Sequence, residues 1–130
     1  MTKYFLDTIV IVRAITRSHP KSVKLFLDTS KEKVTNEYVI METRKVLKDK
    51  FWYSEFQVNG VVNSIRNRCF VVPTPPPNRF KKLKIRDKAD KPVVQSAIDE
   101  KCVLVTDDAR TYRDAKKYIL TCSAVEIYKK

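Results

Sequence analysis

The chain is 130 residues long, 43% hydrophobic and 32% charged, and its 27 Lys and Arg against 15 Asp and Glu give a net charge of +12. That length fits one domain over residues 1–130, and the apolar content supports a core, which excludes a highly charged, disordered coil. No apolar run approaches the roughly 20 residues of a bilayer span, and the first apolar stretch contains Asp7, unlike a secretory signal, so a cytoplasmic protein without a membrane partner is expected.

Tyr4 to Leu6 reads as a short strand ending at Asp7, and Ile9 to Ile15 as a helix packed on the sheet. His19-Pro20 opens a second helix, in which Val23, Phe26 and Leu27 recur at helical spacing, and Lys33 to Thr35 can form a short strand. From Asn36 a longer helix runs to about Lys50. Its inner side carries Val39, Val46 and Leu47, and Glu42 shares their face. Ser54 is an N-cap for a helix with the stripe Val58, Val61, Val62 and Ile65, followed by a strand from Cys69 to Val72. The segment Pro73-Thr74-Pro75-Pro76-Pro77 predicts an extended connector. It leads directly into the basic residues Lys81, Lys82, Lys84, Arg86, Lys88 and Lys91. Asp90 opens a helix carrying Val93, Val94, Ala97 and Ile98. Cys102 to Val105 is a buried strand ended by Thr106-Asp107-Asp108, a short helix reaches about Lys117, and Tyr118 to Cys122 is the last strand. Strands alternating with helices predict an α/β layer structure with a mostly parallel sheet. A single glycine, Gly60, disfavours hairpin-rich folds and leaves no glycine phosphate loop.

Cys69, Cys102 and Cys122 form no CxxC pair and fit buried, reduced thiols better than disulfides or zinc ligands. The basic excess points to nucleic acid or an acidic partner, with solubility alone as the plain alternative. The basic run can lie along an RNA backbone or be a solvated loop. Phe51-Trp52-Tyr53, three adjacent aromatics between two helices, favours packing over base stacking or a partner surface. The valine-rich stripe favours core over a dimer or partner interface, and His19 is a helix-entry residue.

Four acids stand against this background. Asp7 and Asp108 end strands, and Asp90 and Glu42 project from helices toward the sheet, where α/β proteins bind ligands beyond the carboxyl ends of their strands. Buried carboxylates that converge need a compensating cation. Oxygen ligands without histidine or thiolate favour Mg²⁺ or Mn²⁺. Helix capping explains any one of the three aspartates equally well. Glu42 lies mid-helix and is open to pairing with an arginine such as Arg13. A haloacid-dehalogenase-like phosphatase would need an aspartate where Ile9 stands, and a receiver domain would need an acidic pair at the first strand end.

The chain resembles the PIN-domain ribonucleases, in particular the VapC-like toxins of toxin–antitoxin pairs. FLDTIVIV resembles that family's first strand and Asp-Thr. VTNEYVIMETRKVL resembles its small polar residue and acid-bearing helix, and RDKADKPVVQSAIDEKCVLVTDD resembles its aspartate, helix, alanine, strand and Thr-x-Asp pattern. The resemblance implies a three-layer α/β/α sandwich around about five strands. It also implies Asp7, Glu42, Asp90 and Asp108 as catalytic metal ligands, with Thr8, Asn36 and Thr106 in support. The implied reaction is hydrolysis of an RNA phosphodiester to a 3′-hydroxyl and a 5′-phosphate, with an antitoxin and a second copy of the chain as partners. Arg110 stands where many relatives carry an acid or asparagine, and Lys91 where some carry a second acid. Asp87 and Asp107 are nearby substitutes. The alternatives are a PIN-like RNA-binding domain that has lost catalysis, or a housekeeping RNA-processing nuclease, although the small size favours a toxin.

Overall fold

The computed structural model describes residues 1–129. Its elements run β1 (Lys3–Leu6), α1 (Thr8–Ile15), α2 (Pro20–Leu27), β2 (Glu32–Asn36), α3 (Glu37–Phe51), α4 (Glu55–Arg68), β3 (Phe70–Val72), α5 (Pro77–Phe80), a 3₁₀ turn (Lys88–Asp90), α6 (Lys91–Asp99), β4 (Val103–Val105), α7 (Ala109–Ala115), β5 (Thr121–Cys122) and α8 (Ala124–Ile127). The five strands form one sheet in the order β3-β2-β1-β4-β5, and every pairing is parallel. Helices flank it in the expected α/β/α arrangement. Phe5, Leu6, Val34, Leu104 and Val105 are buried in the strands, where parallel sheets need apolar residues on both faces.

Strand order reverses beside β1, since β2 and β3 extend on one side and β4 and β5 on the other. The crevice at the carboxyl ends of β1 and β4 is therefore the topological switch point. The Asp7 N–H donates to the Val105 carbonyl at 3.1 Å, which joins the two strand ends there.

Two polar anchors hold helices to this frame. Asn36 is fully buried; its Oδ1 accepts from the Val39 N–H (2.9 Å), and its Nδ2 donates to the Pro92 carbonyl (3.2 Å) and Ser96 Oγ (2.8 Å), tying α3 to α6. Lys33 is buried with its ammonium donating to the carbonyls of Leu25, Phe26 and Asp28 at 2.8–3.1 Å, which closes the end of α2.

Several local expectations shift. The extended proline connector ends at Pro76, because Pro77 has the φ needed at a first helical position and begins α5. Cys69 is the C-cap of α4 rather than the start of β3. The last strand shortens to Thr121–Cys122, and a helix with a capping box at Ser123 and Glu126 follows. All three cysteines are free, with Cys69 and Cys102 buried.

Of the aromatic triplet, only Tyr53 packs on the core; Phe51 is partly exposed and Trp52 is 86% exposed. Trp52 ends α3 in the left-handed region at φ 56°, so its side chain leaves the helix face that Phe51 continues. A residue with a Cβ is strained there, and Trp52→Gly is expected to stabilise the protein by about 0.5–1 kcal/mol after Gly's extra unfolded-state entropy is subtracted. A thermal melt checks this: an unchanged or lower midpoint would mean that Trp52 makes contacts worth more than the strain.

Candidate active site at the sheet switch point

The four carboxylates are linked by threonines into one hydrogen-bonded string. Glu42 Oε1 accepts from Thr8 Oγ1 at 2.7 Å. The Thr8 N–H donates to Asp7 Oδ1 at 2.7 Å, and Asp7 Oδ2 accepts from Thr106 Oγ1 at 2.9 Å. Thr106 Oγ1 in turn accepts from the Asp108 N–H at 3.2 Å. Asp108 Oδ1 accepts from the Thr111 N–H at 3.4 Å, and the Thr111 hydroxyl donates to Asp90 Oδ2 at 3.0 Å. Sequence reasoning missed Thr111, which is buried. Its signal was its place three residues after Asp108, in the first turn of α7, where an N-cap aspartate accepts.

Each acid also serves its local structure. Asp7 caps α1 and Asp108 caps α7, so the capping alternative holds for both. Capping leaves the need for charge compensation intact. Asp90 makes no side-chain capping bond to α6, and its carboxylate is held by Thr111 instead. Glu42 does not pair with Arg13, whose guanidinium lies 3.4 Å from Asp107.

The acids feel one another's charge. Burial pushes the Asp7 carboxyl up to about 6, against its bonds from Thr106 and Thr8, with the charges of Glu42 and Asp108 adding to the rise. Burial likewise pushes Asp90 up to about 7, reinforced by Asp7, Asp87 and Asp108 and opposed by the Thr111 bond. Glu42 is raised too, first by burial, with Thr8 and Tyr38 opposing. Carboxyls raised by burial first and by neighbouring charge second are candidates for a functional site.

The remaining expected residues divide. Asp87 caps the 3₁₀ turn through the Ala89 N–H and adds negative charge beside Asp90. Asp107 joins none of the hydrogen bonds of the acid string; its Oδ2 lies near Arg13, His19 Nδ1 (4.0 Å) and Ser22 Oγ (3.5 Å), anchoring α1 and α2. Asn36 touches none of the four acids in its hydrogen bonds and acts by fixing α3 against α6.

Asp90 and Asp108 open into a cleft of about 760 Å³ whose rim carries Arg86, Lys88, Arg110 and Arg113. Lys81, Lys82, Lys84 and Lys91 lie outside its lining. The basic segment is nevertheless docked. Ile85 is buried, the Arg86 N–H donates to Asp114 Oδ2 (3.2 Å), and the Lys84 N–H donates to the Tyr118 hydroxyl (2.7 Å). Burying Ile85 contributes about 2 kcal/mol toward holding the loop in place.

Among the described residues no three His, Cys, Asp or Glu side chains stand together in ligating reach of one ion. The donor set still fits a divalent cation by its chemistry. It is all hard oxygen, burial and neighbouring carboxylates raise the pKa of Asp7 and Asp90, and neither imidazole nor thiolate belongs to it.

No protein-family model and no curated protein matches this sequence. Solved structures do, and the architecture they share with this chain is the PIN-domain fold. The chain is similar to the VapBC2 structure from Rickettsia felis bound to a promoter DNA fragment, at 18% identity and TM-score 0.72 over 94% of this chain and 98% of that one. It is similar to DNA-bound VapBC from Salmonella typhimurium at 17% identity and TM-score 0.75, over 95% and 99%. The PIN-domain endonuclease Utp24 matches at 16% identity and TM-score 0.58, over 93% and 84%.

Proposed function

We propose that the protein is a metal-dependent endoribonuclease, acting as the toxin of a toxin–antitoxin pair. The observation that carries this reading is the string Glu42–Thr8–Asp7–Thr106–Asp108–Thr111–Asp90 at the sheet's switch point. The PIN-domain fold and the VapBC neighbours support it. A chain of +12 net charge that strings four acids along the sheet's switch point is suited to a polyanion whose backbone is gripped outside and hydrolysed inside.

Asp7, Glu42, Asp90 and Asp108 would hold Mg²⁺ or Mn²⁺, directly or through water. Bound there, the ion would make water a nucleophile at neutral pH and neutralise charge building on the phosphate. The three threonines fix the carboxylate orientations before substrate arrives, so less reorganisation accompanies the reaction. Arg86 and Lys88 on one rim, and Arg110 and Arg113 on the other, would receive backbone phosphates, with Lys81, Lys82, Lys84 and Lys91 adding longer-range attraction. Arg110, where the resemblance expects an acid or asparagine, would then offer a phosphate contact in place of a ligand. A cognate antitoxin, a homodimer, a cytoplasmic location and a single functional domain over residues 1–130 complete the proposal.

The test is cleavage of labelled structured and single-stranded RNAs with Mg²⁺, with Mn²⁺ and with EDTA, beside an Asp7→Asn, Asp90→Asn double variant. Cleavage that needs the metal and falls by more than about a thousandfold in the variant is expected. RNA binding without cleavage in any condition would instead favour the non-catalytic RNA-binding domain, a reading that the spread of the carboxylates also motivates.

A further inference from the structure

A second cavity, of about 300 Å³, adjoins the acidic cleft between α7 and the turn into α8. Asp108 and Arg113 line both cavities. Thr106, Asp107, Asp108 and Ser123 form one wall, and α7 forms the other. Tyr112 presents a half-buried ring, and Arg113 and Lys116 stand exposed at the rim, entering no ion pair among the described residues. The Lys116 ammonium lies 5.9 Å from the Tyr112 ring centroid.

These residues come from one stripe. Ala109, Tyr112, Arg113 and Lys116 follow helical spacing along α7, so an aromatic face and two cations project the same way. Ala109 at the start of the stripe leaves the space beside Asp108 open. Nothing in the acid string uses Tyr112 or Lys116, and the core does not account for an aromatic ring flanked by unpaired cations.

We propose that this cavity is a nucleotide subsite, which takes the base and phosphate of the RNA residue flanking the phosphodiester held at the acidic cleft. The inference rests on the nuclease reading. The volume lies at the lower end of small-ligand sites, which limits the occupant to one nucleotide. An aromatic face stacks any base and is worth roughly 1–3 kcal/mol per base in single-strand binding. Arg113 and Lys116 supply the charge that a phosphate needs, and a phosphate on Lys116 brings its base within reach of the Tyr112 ring. The shared edge at Asp108 sets the neighbouring phosphate at the acids. The subsite therefore fixes register along the strand while selecting the base only by stacking strength.

The experiment is equilibrium binding of a fluorescein-labelled single-stranded RNA hexamer in EDTA, where cleavage does not interfere, by anisotropy over a range of salt. Tyr112→Leu is expected to weaken binding about tenfold, whereas Tyr112→Phe, which keeps the ring, stays within about twofold of wild type. Lys116→Ala, at an exposed position that does not threaten folding, is expected to weaken binding and to reduce the salt slope by about one. Wild-type affinity in both Tyr112→Leu and Lys116→Ala, with the starting protein binding RNA, overturns the subsite and leaves the nuclease reading standing. Equal losses in folded Tyr112→Leu and Tyr112→Phe overturn the stacking role. Failure of the wild-type protein to bind the hexamer overturns the subsite, while metal-dependent cleavage decides the nuclease reading separately.

Discussion

Asp7→Asn is expected to abolish RNA cleavage while making the metal-free protein more stable at neutral pH. The Asp7 carboxyl is pushed up to about 6 in the folded protein, chiefly by burial, against about 3.9 in an unfolded chain. Between those two values the unfolded chain has lost its proton and the native state keeps it, so stability falls as pH rises. A difference of about two pKa units corresponds to about 3 kcal/mol lost by pH 7. Asn removes the titration and preserves the shape. Its oxygen still accepts from the Thr8 N–H, and its amide can face Thr106 Oγ1 as donor. For a chain of this size the gain corresponds to roughly 10 °C in melting midpoint at pH 7, and the two proteins should converge below pH 4. Melts in EDTA from pH 4 to 7.5, beside a cleavage assay, check both halves. A variant that melts lower than wild type at pH 7 would mean that Asp7's hydrogen bonds outweigh the cost of its buried charge. Loss of function with a gain in stability is what a charged functional site set in an apolar frame should show.

The centre of the sheet was legible because β1 and β4 are short apolar runs followed by polar residues. Tyr4 to Leu6 and Cys102 to Val105 needed no tertiary information, and their alternation with helices implied parallel pairing, which the structure extends to every strand. What sequence could not supply was local backbone choice. Pro77 can end a connector or begin a helix with the same φ, and only its neighbours in space decide. Trp52 was expected to pack as one of three adjacent aromatics between two helices. A left-handed turn with no sequence signature turned it to solvent.

The site was legible to a different depth. The positions of Asp7, Glu42, Asp90 and Asp108 followed from periodicity and strand ends, since a residue's face is a local property. Their connections were not, because hydrogen bonds such as Thr111 to Asp90 join residues 21 apart in sequence. Asp107 shows the limit most clearly. It neighbours Asp108 and lines the same cavity, yet its carboxylate meets Arg13 and His19 rather than the acid string. Asn36 was expected to hold the carboxylates or phosphate, but at the end of β2 it bonds to Val39, Pro92 and Ser96 and so ties α3, which carries Glu42, to α6, at whose start Asp90 stands.

Adding Mg²⁺ or Mn²⁺ to the wild-type protein at pH 7 is expected to raise its melting midpoint. Free ion at about 100 times its dissociation constant stabilises a single site by about 2.7 kcal/mol, or roughly 10 °C for this chain. The Asp7→Asn, Asp90→Asn double variant should start higher and gain almost nothing, because the repulsion that the ion relieves is already gone. Protons compete with the ion for the same oxygens. With Asp7 at about 6 and Asp90 at about 7, the shift should therefore shrink at pH 5, where both carboxyls are largely protonated, and reach its full size above pH 7. Asp107→Asn supplies the decisive comparison. It removes a carboxylate of the same type one residue from Asp108, but one that is held by Arg13 and Ser22 outside the acid string, so its metal-induced shift should equal that of wild type. A shift lost equally in Asp107→Asn, or retained in the double variant, would move the ion away from the four acids and break the link between their shared charge and the chemistry proposed for them.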